Sequence, residues 1–481
     1  MVCGAMASEP QKIPIEKLQD DFFALYAGLE SAHFNLYANR SREDYNALFQ
    51  QTLEEIDTPL TKHEAGVRFQ RFVAYGKVAH ARIDYDRSAW NAYQADGGKV
   101  FPVYLRIVDG RSYVGENYSG EPRLLPGTEI LSMNGKPMSE WLDLTARNIS
   151  ADTPYIAHSL LEFLFAMYLW EEAGPVNTFV MQIRDVAGKI SEIRVEALSR
   201  KKMKVYSDKA SNAFALDLST RKARMLDGDI AYLRPGPFFN AEKPETPWDN
   251  TEFVRFIDES FIGFLNAGAT ALVVDLRQNP GGDNSFSDPM VAWFADVPFS
   301  FASSFLVRSS KEARASNQAR LDAQAGLTEG ASAFFGAHYA TVPYGEDFEY
   351  PIPKAQPREG KRFEGNICVL IDRHSYSNAV TVAAIVQDYG FGEILGEKTS
   401  DMATTYGAME TFSLPNTGLV VGFPKAHIVR PSGERKPDGV TPDVLIQSRI
   451  APTSSDAVLE GVKQHIQSGG CRKSLNTGRL R

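Results

Sequence analysis

The sequence predicts an α/β protein built from several units, and three patterns along the chain support this. Apolar residues recur at helical spacing from about 15 to 83, short β-like runs fill 101–204, and buried strands alternate with helices after Asp229. Alternation of that kind is typical of a βαβ layer with a parallel sheet. At 481 residues the chain also exceeds what one hydrophobic core usually serves, so we expect more than one unit.

Residues 15–95 are predicted to form an N-terminal helical region, because Leu18, Phe22 and Leu25 fall on one face of a helix. Ahead of it, residues 1–14 are interpreted as a leader or the remnant of a secretory signal. Small residues stand there where a signal peptide is cleaved, but the charged and apolar regions of a signal are missing. We therefore expect a periplasmic or secreted location, with a cytoplasmic one as the alternative.

Residues 101–204 contain short β-like runs such as 103–107 and 179–183. Between them, residues 126–135 are Pro-Gly-Thr-Glu-Ile-Leu-Ser-Met-Asn-Gly, a turn followed by a short strand and an Asn-Gly hairpin signal. This order resembles the centre of a PDZ domain, a module that binds extended peptides by adding them to a sheet edge. The resemblance implies an inserted PDZ-like β domain, with 156–170 as a buried helix inside it.

Residues 225–450 are predicted to form the α/β core, because apolar runs of strand length alternate there with helical patterns. The predicted elements are strands at 230–233, 271–276, 367–371, near Ile394 and at 419–423, and helices at 251–267 and 377–389. The stretch from about 283 to 365 is richer in Ala, Ser and Gly and less regular, so we expect a lid or an insertion there. Residues 451–481 are predicted to be a C-terminal helix and tail.

Composition and charge narrow the function classes. With 43% hydrophobic and 23% charged residues, the chain has the composition of an ordinary globular protein. Its net charge of -9 and the absence of a dense Lys/Arg run argue against nucleic acid as a partner. The 3 cysteines stand far apart, so neither a disulfide framework nor a CxxC metal site is expected, and no metal or cofactor is predicted. No apolar run is long enough for a membrane span.

Two motifs carry the chemistry. The first, Asp-Leu-Arg-Gln-Asn-Pro-Gly-Gly at 275–282, ends a buried strand in a turn whose backbone N–H groups can approach a ligand. The second, Asp-Arg-His-Ser-Tyr-Ser-Asn-Ala at 372–379, passes from a strand into a helix that starts near Ser377. A helix N-terminus offers free N–H groups and a partial positive charge, which suit a nucleophile and an oxyanion. Taken singly, each motif is more often a plain turn or a helix cap.

Together with Gly-Glu-Lys-Thr at 396–399, these motifs resemble in their order those of peptidase family S41, the tail-specific or C-terminal processing proteases. Further similar segments, at 31–37 and 438–443, extend the resemblance over roughly residues 15–450. The resemblance implies a core of the ClpP and crotonase type.

The resemblance also implies a serine endopeptidase that forms an acyl-enzyme on Ser377, which the family's spacing to the Gly-Glu pair favours over Ser375. The oxyanion donors would be the backbone N–H groups of Asn378 and of Gly281 or Gly282. The expected substrates are unfolded polypeptides or C-terminal peptide segments, and homo-oligomer formation stays open.

The identity of the general base rests on two branches of the family. One branch uses a lysine, and Met402 stands at its place here, with Lys398 nearby. A tricorn-like branch uses a Ser/His/Glu set whose histidine precedes the PDZ region, where this chain has His80. We favour His80, because an imidazole titrates near neutral pH and can accept a proton and return it. His374 and His427 are rival bases.

The third member of a Ser/His set is a carboxylate that holds the imidazole. The glutamate of the tricorn-like branch would fall at Lys436, so Glu434 is predicted and Asp438 is the alternative. Two other functions stay open. One is a catalytically inactive scaffold of the same fold that binds peptides, and a serine-reactive probe separates it from a peptidase. The other is an acyl-CoA enzyme, since the crotonase layer shares the oxyanion turn, and CoA binding would reveal it.

Overall fold

The computed structural model describes residues 11–83, 87–207, 217–323, 328–448, 450 and 456–471. Within these ranges the chain forms a helical part, a β part and an α/β part, in the order that the sequence predicts. Most of the predicted leader, and parts of the predicted tail, lie outside the described residues.

The N-terminal part combines four helices with short strands: β1 (Lys12–Ile13), α1 (Ile15–Ala32), α2 (Arg42–Glu54), β2 (Leu60–Thr61), α3 (Lys62–Ala74), β3 (Arg82–Ile83) and α4 (Ser88–Ala95). Strand β1 pairs with β2, so Lys12 and Ile13, which the sequence assigns to a leader, belong to the fold. Helix α3 begins at a capping box in which Thr61 and Glu64 satisfy each other's backbone N–H groups.

The β part follows: β4 (Lys99–Val100), β5 (Val103–Val108), β6 (Arg111–Asn117), β7 (Glu129–Met133), β8 (Lys136–Pro137), α5 (Met138–Ala146), α6 (Pro154–Ala173), β9 (Thr178–Arg184), β10 (Ile190–Glu196), β11 (Leu198–Ser199) and α7 (Arg200–Ser207). Its antiparallel sheet has the order β10-β9-β7-β6-β5, with β8 on β7. The predicted hairpin is confirmed, because Asn134 and Gly135 both have positive φ between β7 and β8. The likeness of this part to a PDZ domain stays a prediction.

The predicted buried helix is also confirmed, as α6. Thr153 caps it by accepting a hydrogen bond from the Ile156 N–H (3.3 Å), and Pro154 occupies its first turn. Across the described part of the chain, no helix is both long enough and apolar enough to cross a bilayer.

The α/β part contains β12 (Lys222–Met225), β13 (Ile230–Arg234), α8 (Thr251–Asn266), β14 (Ala271–Asp275), α9 (Asn284–Ala292), β15 (Ser304–Arg308), α10 (Lys311–Ala323), α11 (Ala331–Thr341), β16 (Asp347–Glu349), β17 (Asn366–Ile371), α12 (Asn378–Tyr389), β18 (Glu393–Gly396), β19 (Thr405–Ser413), β20 (Val420–Val429), β21 (Val444–Leu445) and α13 (Ala457–Gln467). Its main sheet has the order β12-β13-β14-β17-β18-β21, and all its neighbours except β12 and β13 are parallel.

Both faces of the main sheet are covered. Successive residues of β14 point to opposite faces, so that Leu272 and Val274 pack with α8, α9 and α12, whereas Val273 packs with α13. Strands β14 and β17 are parallel neighbours, with Asp275 opposite Leu370. Because the carboxyl ends of parallel strands meet at one edge, the two motifs that follow these strands are brought together there.

A second sheet, β16-β15-β20-β19, adds β3 at the side of β20. The stretch 283–365, expected to be a lid or an insertion, supplies β15 and β16 to this second sheet, which it shares with 405–429 and the N-terminal part. The strand predicted at 419–423 belongs to this second sheet and not to the main one.

One disulfide corrects the cysteine prediction. Cys368 in β17 and Cys471 after α13 are bonded, with their Cα atoms 5.2 Å apart and a separation of 103 positions in sequence. Both are fully buried, and Val458, Leu459 and Val462 of α13 share their apolar cluster. The two cysteines are far apart in the sequence but close in the fold, because α13 packs back against the centre of the main sheet. Cys3 lies outside the described residues.

Candidate active site

Ser377 lies at a sharp turn between β17 and α12. It is the one exposed residue in the stretch 371–380, and its backbone has φ 52°, an angle that side chains other than glycine rarely adopt. Its side chain makes no capping hydrogen bond to α12, which removes the ordinary reason for a serine at a helix start. A strained, exposed hydroxyl with no structural partner among the described residues is free for chemistry.

Ser375, the other serine of this motif, has a structural role. It is fully buried, its Oγ donates to the Leu276 carbonyl oxygen (2.8 Å), and it accepts from the Asp372 N–H (3.1 Å). These bonds hold the turn after β17 against the end of β14. The surroundings of the two serines therefore agree with the choice of Ser377.

The Pro-Gly-Gly turn packs directly on Ser377. Gly281 has φ 85°, and a Cβ added to it would lie 2.6 Å from the Ser377 Cβ and 2.8 Å from the Asn378 nitrogen. The Gly281 N–H already donates to Asn279 Oδ1 at 2.9 Å. Among the described residues, no acceptor is recorded for the N–H groups of Gly282 or Asn378. The residue after Gly281 and the residue after Ser377 thus each have a backbone N–H without a recorded acceptor in the described part of the chain.

His80 lies in the turn after α3, and its Nδ1 is buried without a hydrogen-bond partner in the described part of the protein. The neighbouring Ala79 N–H donates to Asp152 Oδ2 at 3.0 Å, which places a carboxylate beside the histidine. The pKa of Asp152 is raised to about 6, mainly by burial and in addition by the negative charge of Asp401, against the lowering effects of the Ala79 N–H and His80.

Asp401 is a second carboxylate near the serine. Its Oδ2 accepts from the Ser377 N–H at 2.5 Å, and its Oδ1 accepts from its neighbour Met402 at 2.9 Å. Asp401 therefore bonds the serine backbone and acts on Asp152 through its charge, and no direct hydrogen bond between Ser377 and His80 is present among the described contacts. Sequence reasoning missed both aspartates. Asp152 precedes a helix, where an aspartate is usually a cap, so no local signal marked it.

The other predicted or rival residues lie in other surroundings. Lys398 is paired with Asp438 at 2.5 Å near the surface. Glu434 is exposed, and its Oε1 accepts from the Lys436 N–H at 2.8 Å. The structure records no contact of Glu434 with His80, so its catalytic role stays a prediction.

The two rival histidines have structural partners. His374 is buried, and its Nε2 lies 3.1 Å from Glu162 Oε2. On β20, His427 is packed between the rings of Phe34 and Tyr406. Burial lowers the pKa of His427, and the charge of Arg435 lowers it further.

A buried ionic network joins the β part to the loop of the serine. Arg106 of β5 bonds Glu162 of α6 (3.0 Å) and Glu397 (3.2 Å), and Arg373 bonds the same two carboxylates at 3.0 and 3.1 Å. All four side chains are at most 9% exposed. Burial alone would raise the pKa of Glu397, but Arg373 and Arg106 outweigh it and lower the pKa. Arg373 precedes Ser377 by four positions, so the network fixes this loop.

An exposed serine on a strained strand-to-helix turn, packed against a glycine turn and followed by a free backbone N–H, is an arrangement found in serine hydrolases. Comparison with known proteins agrees with this class. Residues 230–446 match the model of peptidase family S41. No protein with a curated description matches the chain by sequence.

Two solved structures of CPAF share the fold, and a third structure shows a weaker similarity. Mature CPAF complexed with lactacystin is similar at a TM-score of 0.63 and 15% identity, over 95% of this chain and 97% of that one. Mature CPAF is similar at a TM-score of 0.63 and 15% identity, over 94% of this chain and 96% of that one. A photosystem II D1 C-terminal processing protease is similar at a TM-score of 0.44 and 14% identity, over 95% of this chain and 99% of that one.

Proposed function

We propose that the chain is a serine endopeptidase that cleaves unfolded polypeptides or C-terminal peptide segments through an acyl-enzyme on Ser377. The observation that carries the proposal is the exposed Ser377 at φ 52°, packed against Gly281 and without a capping bond. The family match of residues 230–446 supports a peptidase rather than another acyl-transfer enzyme.

In the proposed cycle, the Ser377 Oγ attacks the scissile carbonyl carbon while His80 takes its proton. The N–H groups of Gly282 and Asn378 stabilise the oxyanion, since the N–H of Gly281 is already engaged by Asn279. His80 then gives the proton to the leaving amine, and water hydrolyses the acyl-enzyme with His80 again as base. This assigns the chain to the tricorn-like branch, in agreement with Met402 at the lysine position and with Lys398 held by Asp438.

The test is labelling with a fluorophosphonate, followed by mapping of the modified residue by mass spectrometry. We expect label on Ser377, hydrolysis of an unfolded protein such as casein, and loss of both in Ser377→Ala without change in thermal unfolding. Label at another serine, or full turnover by Ser377→Ala, would refute the assignment. A folded protein that is neither labelled nor active would instead be a peptide-binding scaffold of the same fold.

The Cys368–Cys471 disulfide supports a location in an oxidising compartment, and we propose the periplasm or the exterior of the cell. Cell fractionation with blocking of free thiols tests this. A protein found in the cytoplasm with both thiols reduced would contradict it.

A further inference from the structure

Among the described residues, the buried Nδ1 of His80 has no acceptor of the kind that an imidazolium needs. When a histidine takes a proton from serine, both of its ring nitrogens carry hydrogen, and a carboxylate normally accepts from the nitrogen that faces away from the serine. His80 Nδ1 is buried without a partner in the described part of the protein, and Glu434 makes no recorded contact with it. The group that stabilises His80 must therefore come from its own surroundings.

Asp152 is the carboxylate recorded beside His80. One of its oxygens, Oδ2, accepts from the backbone N–H of Ala79, the residue before His80 in the chain. Its other oxygen accepts no recorded hydrogen bond from another described residue. His80 also lowers the pKa of Asp152, so the imidazole lies within electrostatic range of this carboxylate.

A buried amide fixes the relative position of these two residues. The Gln70 Nε2 donates to the Asn148 carbonyl oxygen and to Ser150 Oγ, both at 3.1 Å, on the loop that leads to Asp152. The Gln70 Oε1 accepts at 2.7 Å from the N–H of Ile83, just after the His80 turn. Gln70 is 3% exposed, so one side chain of α3 anchors both segments in the interior.

We propose that Asp152, rather than Glu434, is the carboxylate that positions His80 and stabilises its protonated form during acyl transfer. The proposal rests on the proposed function, because it assigns the third member of that catalytic set. Asp152 acts through His80 and touches no reacting atom, so it is a positioning residue.

The charged groups near Asp152 predict a particular dependence of kcat/KM on pH. Burial and Asp401 hold the pKa of Asp152 near 6, against the opposing effect of His80. Below that pH the carboxyl group is protonated and no longer attracts an imidazolium. Activity then requires the loss of two protons, one from the imidazole and one from Asp152, and kcat/KM should fall toward low pH with a slope that approaches two.

The central variant is Asp152→Asn, because asparagine keeps an oxygen for the Ala79 N–H and removes only the charge. We expect kcat/KM for a short peptide to fall by roughly 10²-fold. We also expect the slope of log(kcat/KM) against pH, on the acid side of the profile, to fall from two to one. Asp152→Glu, which keeps the charge, should recover part of the rate. Asp185→Asn is the matched control, since Asp185 also accepts backbone N–H groups (2.9 Å) but lies in the exposed β9–β10 turn.

The outcomes separate this proposal from the one on which it rests. If the unmodified protein takes no fluorophosphonate at Ser377, both proposals fall. If it is labelled and active while Asp152→Asn keeps its rate and its two-proton acid limb, only the role of Asp152 falls. A larger loss in Glu434→Gln than in Asp152→Asn would also overturn it, in favour of the carboxylate predicted from sequence. If Asp152→Asn does not fold, Asp152→Glu and Asp152→Ala are compared instead. Equal kcat/KM values for these two variants would show that the negative charge at position 152 is not needed, and the proposal would fall.

Discussion

A methyl group on Gly281 would lie 2.6 Å from the Cβ of Ser377, closer than two such carbons approach without displacement. The turn and the nucleophile therefore fit together only because residue 281 has no side chain. We predict that Gly281→Ala lowers turnover by at least about 10²-fold, because it displaces the serine from its oxyanion donors. Peptide hydrolysis and the rate of fluorophosphonate labelling measure the effect.

Gly135 supplies the control for Gly281→Ala. It has nearly the same backbone angle, φ 80°, but nothing lies within 4 Å of an added Cβ. Gly135→Ala should therefore cost only about 1 kcal/mol of stability, from its left-handed backbone, and leave turnover unchanged. Equal loss of activity in both variants would mean that backbone strain, and not the contact with Ser377, is responsible.

His80→Ala and Lys398→Ala distinguish the two candidate bases. Loss of a general base lowers turnover by roughly 10² to 10⁴, and we expect this loss for His80→Ala. Lys398 is partly exposed and paired with Asp438, so Lys398→Ala should cost less than about 1 kcal/mol of stability and little activity. An inactive Lys398→Ala beside an active His80→Ala would place the chain in the lysine branch.

Asp288 gives a prediction about stability and pH. Its Oδ1 is buried without a partner among the described residues, and burial raises its pKa to about 6. Its folded pKa lies above its ordinary value, so its ionisation destabilises the fold progressively from about pH 4 to pH 6, and fully above that. Asp288→Asn should therefore gain on the order of 1–2 kcal/mol at pH 8 and nothing near pH 4. Urea unfolding at both pH values measures this, and an equal gain at pH 4 would contradict it.

The disulfide should stabilise the fold by roughly 2–5 kcal/mol, because it closes a long loop in the unfolded chain. Urea unfolding with and without a phosphine reductant measures this difference. A Cys368→Ala/Cys471→Ala double variant should be less stable than the oxidised protein and insensitive to the reductant. If the reductant lowered the free energy of unfolding of the double variant by the same amount, the loss would not come from this disulfide.

Short segments of the sequence are enough to predict the elements that depend only on neighbouring residues. Helix α8 was expected at 251–267 and is observed at Thr251–Asn266, and the Asn-Gly hairpin and Ser377 before α12 were also expected from short segments. What sequence reasoning missed depends on distant pairings. The second sheet joins Ile83 to Val421, and the relevance of Asp152 depends on hydrogen bonds that Gln70 makes across 78 and 80 residues. No local propensity encodes such contacts.

The four buried charges of the ionic network also limit how this protein can be recombined with its relatives. Arg106 and Glu162 belong to the β part, whereas Arg373 and Glu397 belong to the α/β part, and each arginine bonds both carboxylates. A chimera that exchanges the β part alone would place unmatched charges in the interior, which typically costs about 3–5 kcal/mol. The two parts therefore have to be inherited, or transplanted, with all four residues together.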